Sequence, residues 1–412
     1  MKKFLLILLV LALLLGTLGC TLGSVEQTVP TTGTQPPAPT VDPMKEAYKK
    51  DRAAFVVFSR STEPRERYVP VEEIRGYESQ FPDCIGTWYR DQLSDEDRLI
   101  YNSYLYALEN RFIYFELYVA DNDRDFSYIR EALSLDSPFL EQNYSHYEHL
   151  WKNPTNYVGE SITGSMEQFT ESRWEMKMQA LEDCRRIVAA IPPECDTQVK
   201  KMEYLYDYVC EHVEYVPYES YADESYFYDA VCKGQTVCDG YSNMLSLLFR
   251  LAGVECYEAM GSDSEEADGH TWVVAKLDGQ FYNFDPTFED NDDITTDNRR
   301  YFGFSDALIA VKNVDLEEIR PKCTDTSRDF YYADLIVSDI TSGQELRKIA
   351  QLVQQRRAQG ETTTLIAVRS AVDEEAFETF GKQFFWYTTQ IKGINTRLTQ
   401  LHGSALLEIT AD

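Results

Sequence analysis

Residues 234–252 read GQTVCDGYSNMLSLLFRLA, and Gly253 follows directly. Apolar side chains fill most positions from 244 to 251, so a helix over this stretch has almost no polar face. A helix of that kind belongs in the middle of a hydrophobic core. We therefore predict a central buried helix that starts near Cys238, with the rest of the domain folded around it.

The position of Cys238 at this helix start favours reactivity. Unpaired backbone N–H groups and the positive end of the helix dipole stabilise an anion there, which favours a thiolate. The alternative is an inert core cysteine, which is the commoner fate of a cysteine beside a buried helix. The segment alone leaves both interpretations open.

Residues 270–285 read HTWVVAKLDGQFYNFD, two strand-like runs around Asp278-Gly279. Asp-Gly between such runs is a strong signal for a two-residue β-hairpin turn. Leu277 then faces Gln280, and the same register places Trp272 opposite Asp285. The turn therefore fixes which residues meet across the two strands.

His270 lies on the same face as Trp272, one diagonal step from Asp285. Diagonal Cα atoms are roughly 7 Å apart, a gap that an imidazole and a carboxylate can bridge. This pair is the base and the orienting group that a cysteine nucleophile requires. The alternative is an ordinary surface histidine, and a one-residue bulge would break the register.

Three segments, 234–241, 270–272 and 285–290, resemble in order and spacing the motifs of the bacterial transglutaminase-like superfamily. That family resembles papain in fold, and the resemblance covers about 197–306. It implies an α+β fold with a papain-like core. It also implies the catalytic triad Cys238, His270 and Asp285.

The resemblance further implies attack of Cys238 on a carboxamide or peptide carbonyl, followed by a thioester. Water then gives hydrolysis, whereas an amine gives transamidation. The Cys238 N–H is the expected oxyanion donor, while for Gln235 we favour a structural role in the loop. The sequence departs from the family pattern at Val273, where Asn is frequent, and at Phe288, where Trp is frequent.

The N-terminus has the pattern of an export signal. Residues 1–20 combine Lys2 and Lys3 with an apolar run, and they end on Gly19-Cys20, which resembles a bacterial lipobox. Thr17 stands where such signals usually carry Leu. We predict a signal peptide, a lipidated Cys20 and a Thr/Pro-rich tether over 21–43. A transmembrane helix is the alternative, but the apolar run is shorter than a bilayer requires.

The remaining chain divides by pattern into three parts. We predict a mainly helical region over 44–193, with helices near 99–117, 126–133 and 174–190. A transglutaminase-like catalytic domain follows over 194–322, and a small α/β domain over 323–412. The flanking parts contain no motif with readable chemistry.

The formal charge of −30 makes direct binding of nucleic acid or anionic lipid implausible. The expected partners are a protein or peptide substrate and cell-wall components. The lipid anchor would hold the protein on the outer face of the cytoplasmic membrane. Nine cysteines do not form a disulfide scaffold in a chain of 412 residues.

We expect no cofactor and no resident metal. Asp121–Asp125 starts like an EF-hand loop, but Phe126 and Ala132 replace its glycine and its closing glutamate. The acidic run 289–293 is better explained as a solvated loop.

Overall fold

The computed structural model describes residues 42–60, 66–119, 126–140, 149–153, 157–161, 171–216, 226–262, 269–290, 299–309, 311, 313–388, 391, 393–401 and 403–411. Cys20, the predicted signal peptide, nearly all of the predicted tether and Asp121–Asp125 lie outside these residues. The segment Pro43–Asp412 forms one compact unit.

The region predicted to be mainly helical also contains a five-stranded antiparallel sheet, which the sequence analysis missed. Its order is β2-β1-β3-β5-β4. Short apolar runs such as FVVFS fit a buried strand or a buried helix equally well. The strands are β1 (Phe55–Ser59), β2 (Arg67–Pro70), β3 (Tyr114–Tyr118), β4 (His149–Asn153) and β5 (Tyr157–Ser161).

The helices of this region are α1 (Pro43–Lys50), α2 (Val71–Arg75), α3 (Trp88–Gln92), α4 (Asp95–Glu109), α5 (Ser127–Asp136) and α6 (Glu171–Ala189). Ser94 caps α4 by accepting the Asp97 N–H. The predicted extension of this helix to residue 117 is wrong. Arg111 turns the chain with a φ of 59°, and Phe115 then pairs with Phe58 in the sheet.

The second sheet has the order β11-β10-β9-β8-β12 and is antiparallel throughout. Its strands are β8 (Cys256–Ser262), β9 (His270–Leu277), β10 (Gln280–Phe284), β11 (Phe302–Phe304) and β12 (Asn313–Val314). A two-stranded parallel pair joins β6 (Glu214–Tyr215) to β7 (Gln235–Thr236). The helices are α7 (Gln198–His212), α8 (Tyr226–Tyr228), α9 (Cys238–Leu251) and α10 (Pro286–Glu289).

The α/β pattern predicted after residue 323, three strands alternating with two helices, is confirmed, and the structure adds one strand. The sheet order is β13-β14-β16-β15, and only β13 and β14 run parallel. The elements are β13 (Leu335–Val337), α11 (Gly343–Ala358), β14 (Thr363–Val368), α12 (Glu374–Tyr387), β15 (Ile394–Leu401) and β16 (Ser404–Ala411). The missed strand is β15, a polar-rich edge strand.

Helix α9 lies in the main hydrophobic core, as predicted. Met244 and Phe249 are at most 1% exposed, and the Phe249 ring contacts Phe284 of β10 edge-on at 5.5 Å. The same core reaches from Val56 to Phe302, so residues on both sides of position 193 share it. A separate core fills the C-terminal part, from 337 to 411.

In the part of the chain that the structure describes, no helix has both the length and the apolarity to cross a bilayer.

Candidate active site

The hairpin formed by β9 and β10 has the predicted register. Leu277 pairs with Gln280, and Val273 pairs with Phe284 at the far end. Asp278 and Gly279 both have positive φ values, 51° and 84°, as a tight two-residue turn requires. The register continues to the end of β10, so Asp285 leaves the strand beside the start of β9.

Asp285 connects this strand to α10. It caps the helix, with Oδ1 accepting the Phe288 N–H at 3.1 Å. Its own N–H donates to the Tyr301 carbonyl at 2.9 Å, and the residue is 3% exposed. The second oxygen, Oδ2, lies 2.6 Å from His270 Nε2. The predicted hydrogen bond between the histidine and the carboxylate is therefore present.

The imidazole of His270 is set up to hold a proton. Burial lowers its pKa, but the charge and hydrogen bond of Asp285 oppose this and raise the pKa to about 10. Because Nε2 is engaged by Asp285, Nδ1 is the nitrogen left for Cys238, whose side chain also acts to raise the pKa of the ring. The structure thus brings the three predicted residues into one chain of contacts.

Cys238 is the first residue of α9 and is only partly buried. Its Sγ lies 4.0 Å from the Gly269 carbonyl, which comes directly before His270. The helix therefore aims its N-terminal backbone toward the same spot as the sulfur.

Phe288 is a site residue that sequence reasoning did not assign. Its ring stacks on the His270 imidazole with centroids 4.2 Å apart and planes 7° apart. Trp272 also lies parallel to the imidazole, at 6.2 Å. The departure from the family pattern drew attention to position 288, but only the folded α10 turn shows that its ring stacks on the imidazole of His270.

A second carboxylate follows the cysteine directly. Asp239 Oδ1 accepts a hydrogen bond from Thr271 Oγ1 at 2.7 Å, joining α9 to β9. Burial raises the pKa of Asp239, whereas the Thr271 hydrogen bond and His270 oppose that rise. The pair fixes the start of α9 against the start of β9.

Two further side chains have structural partners. Gln235 Nε2 donates to Glu214 Oε2 at 2.9 Å across the β6–β7 pair, which fits the loop role favoured from sequence. Trp272 is 1% exposed and donates its indole N–H to Asn283 Oδ1 at 2.9 Å. These contacts join β6 to β7 and β9 to β10, the strands around the candidate site.

Among the residues the structure describes, no group of three or more His, Cys, Asp or Glu side chains is placed to hold a metal ion. The eight cysteines in that same portion are free thiols.

Residues 185–286 match the model of the transglutaminase-like superfamily. The matched segment contains the three predicted site residues. The chain therefore has an α+β fold with a transglutaminase-like domain at its centre.

A human relative, kyphoscoliosis peptidase, is 25% identical over 143 residues. The match covers 31% of this chain and 22% of the human protein, so the chain spans about a fifth of that relative's length.

Two solved structures are also similar. The periplasmic domain of TgpA from Pseudomonas aeruginosa is 14% identical, with 32% of this chain and 53% of that chain covered and a TM-score of 0.23. A TGase is 14% identical, with 49% and 55% covered and a TM-score of 0.24.

Proposed function

We propose that this protein is an extracytoplasmic cysteine acyltransferase or hydrolase that attacks amide bonds of proteins or of the cell wall. Cys238 is the nucleophile, His270 the acid and base, and Asp285 the orienting group. The observation that carries the proposal is the 2.6 Å contact between His270 and Asp285 beside a cysteine at a helix start.

In the first half-reaction, the Cys238 thiolate attacks the amide carbonyl carbon. The oxyanion accepts the Cys238 N–H, and protonated His270 gives its proton to the leaving amine as the C–N bond breaks. The product is a thioester on Cys238. Asp285 keeps the imidazole oriented and stabilises its charged form.

In the second half-reaction, neutral His270 takes a proton from water or from an incoming amine. The new C–O or C–N bond forms at the thioester carbonyl, and the Cys238 thiolate leaves. Water completes a hydrolysis, whereas a lysine amine completes a transamidation. Incubation with casein and a labelled amine distinguishes these outcomes, since incorporated label requires transamidation and cleavage without label requires hydrolysis.

The proposed location follows from the N-terminal sequence. Residues 1–20 direct export, Cys20 carries the lipid, and 21–43 hold the enzyme away from the outer face of the cytoplasmic membrane. Replacing Cys20 with Ser should shift the protein from the membrane fraction to the soluble one, measured by fractionation and lipid labelling. Unchanged membrane retention without label would contradict lipidation and favour an uncleaved helix.

A direct test of the nucleophile uses a thiol-reactive probe with site identification by mass spectrometry. Cys238 should react faster than Cys232, an exposed thiol of the same chain. Cys238→Ser should abolish turnover, whereas Cys232→Ser should leave it intact. Equal reactivity of the two thiols would contradict the enzyme hypothesis.

That negative result would favour the second candidate function, a non-catalytic lipoprotein that binds envelope components through the transglutaminase-like groove. The motif match is compatible with this role, because a fold can persist without its chemistry. Binding of envelope fragments unaffected by Cys238→Ser, together with no turnover, would support it.

A further inference from the structure

A buried glutamate lies behind the candidate triad. Glu289, the last residue of α10, is 0% exposed, so the expectation of a solvated loop over 289–293 is wrong at this position. Its Oε2 accepts the Tyr301 N–H at 2.8 Å and lies 3.3 Å from the Tyr206 hydroxyl. Its Oε1 faces the Arg300 guanidinium, with Nε 3.9 Å away. The carboxyl group is therefore held from three sides in the interior.

These contacts lead directly to Asp285. The Tyr206 hydroxyl also lies 3.0 Å from the Asp285 carbonyl, so it bridges the first and last residues of the turn. The Glu289 N–H donates to the same carbonyl at 3.3 Å. A single four-residue helix thus joins the carboxylate that orients His270 to a second carboxylate fixed in the core.

The ion pair behind this turn is incompletely satisfied. Glu289 Oε1, Arg300 Nε and Arg300 Nη2 are buried without a hydrogen-bond partner in the structure. A separation of 3.9 Å is too long for a hydrogen bond, so the two charges compensate each other only through space. Buried pairs of this kind contribute little to stability, and a well-packed apolar pair often does as well. Their placement beside an active site points to a role in function.

The charge of Glu289 is sensitive to pH near neutrality. Burial raises the pKa of Glu289 to about 7, although the Tyr301 N–H, Arg300 and the Tyr206 hydroxyl each act to lower it. The titratable or charged groups that face it are Tyr206 and Cys210 from α7, Arg300 and Tyr301 before β11, Tyr332, and Asp285 of its own turn.

We propose that Glu289 is a positioning residue whose ionised carboxylate, through Tyr206 and Arg300, holds the α10 turn so that Asp285 can orient His270. This proposal rests on the proposed function of the triad. Protonation of Glu289 removes the buried carboxylate that acts most strongly on Arg300 and leaves Glu408 as the other carboxylate that acts on it, so the core must relax to solvate the guanidinium. The turn then shifts, and the Asp285 contact that orients the imidazole weakens.

The test compares wild type with Glu289→Gln, which mimics the protonated acid in shape. The alkylation rate of Cys238 by iodoacetamide is followed by peptide mass spectrometry between pH 6 and 8. The ratio of the wild-type rate to the variant rate cancels the titration of the thiol itself. It should be about tenfold larger at pH 8 than at pH 6, because a one-proton titration near pH 7 changes the ionised fraction by that factor.

Glu131→Gln is the matched control. Burial also raises the pKa of Glu131 to about 7, but Glu131 lies on α5, and the charge that acts on it is that of Asp315. The ratio of wild type to this control should stay constant across the same pH range. A pH-dependent ratio for the control, or a constant ratio for Glu289→Gln, would overturn the proposal.

Tyr206→Phe keeps the proposal testable if Glu289→Gln does not fold. Removing this hydroxyl takes away a group that lowers the pKa of Glu289. The pH at which the Cys238 alkylation rate falls on acidification should therefore move to a higher value. An unmoved profile would contradict the proposal. Alkylation needs no turnover, so failure of the positioning role is distinguished from failure of the proposed enzyme activity, which absent turnover reveals.

Discussion

His270 is a partly buried histidine whose pKa is raised, and two neighbours shape its environment. Asp285 provides the charge that outweighs desolvation, while Phe288 covers one face of the ring and limits its rotation. A protonated imidazole beside a cysteine stabilises the thiolate and can deliver a proton to a leaving amine. The chemistry expected of the site therefore depends on these two contacts.

Removing the charge of Asp285 should separate the roles of burial and pairing. In Asp285→Asn the pKa of His270 should fall well below 10, since only the smaller contribution of Cys238 then opposes the effect of burial. Turnover should drop by roughly 10²- to 10⁴-fold, the usual contribution of a positioned acid or base. NMR titration of the five histidines measures the pKa, and His270→Ala assigns the signal. An unchanged pKa would show that Asp285 does not set the charge.

The stack on His270 can be tested at Phe288. Phe288→Ala should lower turnover about two- to tenfold, because an aromatic pair contributes about 0.5–1.5 kcal/mol. Phe288→Trp keeps a ring over the imidazole and should retain most activity. Equal loss in both variants would mean that shape at this position, and not stacking, matters.

The segment that leads to Cys238 is built from short elements. A π-helical turn over Asp229–Lys233 ends at Gly234, which has a φ of 67°. The Gly234 carbonyl accepts the Glu214 N–H at 2.8 Å, and β6 and β7 then pair in parallel. This pairing fixes the position of the first residue of α9, so the position of the Cys238 sulfur depends on Gly234.

Gly234→Ala should destabilise the protein and reduce Cys238 reactivity together. A Cβ at this position would lie 2.6 Å from the His212 carbonyl oxygen, in addition to the strain of positive φ. Gly253→Ala is the matched control, because φ is 82° there but no atom lies within 4 Å of the added carbon. The control should lose about 1–2 kcal/mol and Gly234→Ala more, measured by urea unfolding. Equal losses would argue against the steric contact.

The described part of the molecule combines a main and a C-terminal hydrophobic core with several buried acids, and the chain carries a large negative charge. Burial raises the pKa of Asp136 to about 6, against backbone N–H donors and Arg250. Burial likewise raises the pKa of Glu289 to about 7. Acidic groups that bind protons more tightly after folding make the folded state less stable as pH rises.

We therefore expect the melting temperature to fall by several degrees between pH 6 and pH 9. The stabilisation from Glu289 is lost between pH 4.5 and about 7 and that from His270 between pH 6.5 and about 10, whereas that from Asp136 is already lost by about pH 6. Growing negative charge acts in the same direction. Calorimetry across this range tests the sign, and Asp285→Asn should flatten the dependence above pH 7. A melting temperature that rises with pH would contradict the raised pKa values of these groups.

The sequence by itself determined the pairing of His270 with Asp285, because a two-residue turn fixes register through local geometry. It likewise determined the central helix at Cys238, since a helix with almost no polar face is stable only when it is buried in a hydrophobic core. Only the tertiary structure decided that the start of α9 meets the open end of the hairpin, and that Glu289 and Tyr206 lie behind it. Such contacts join residues distant along the chain, and no local periodicity encodes them. The first sheet escaped prediction for the same reason, because its short apolar strands become strands only through their partners.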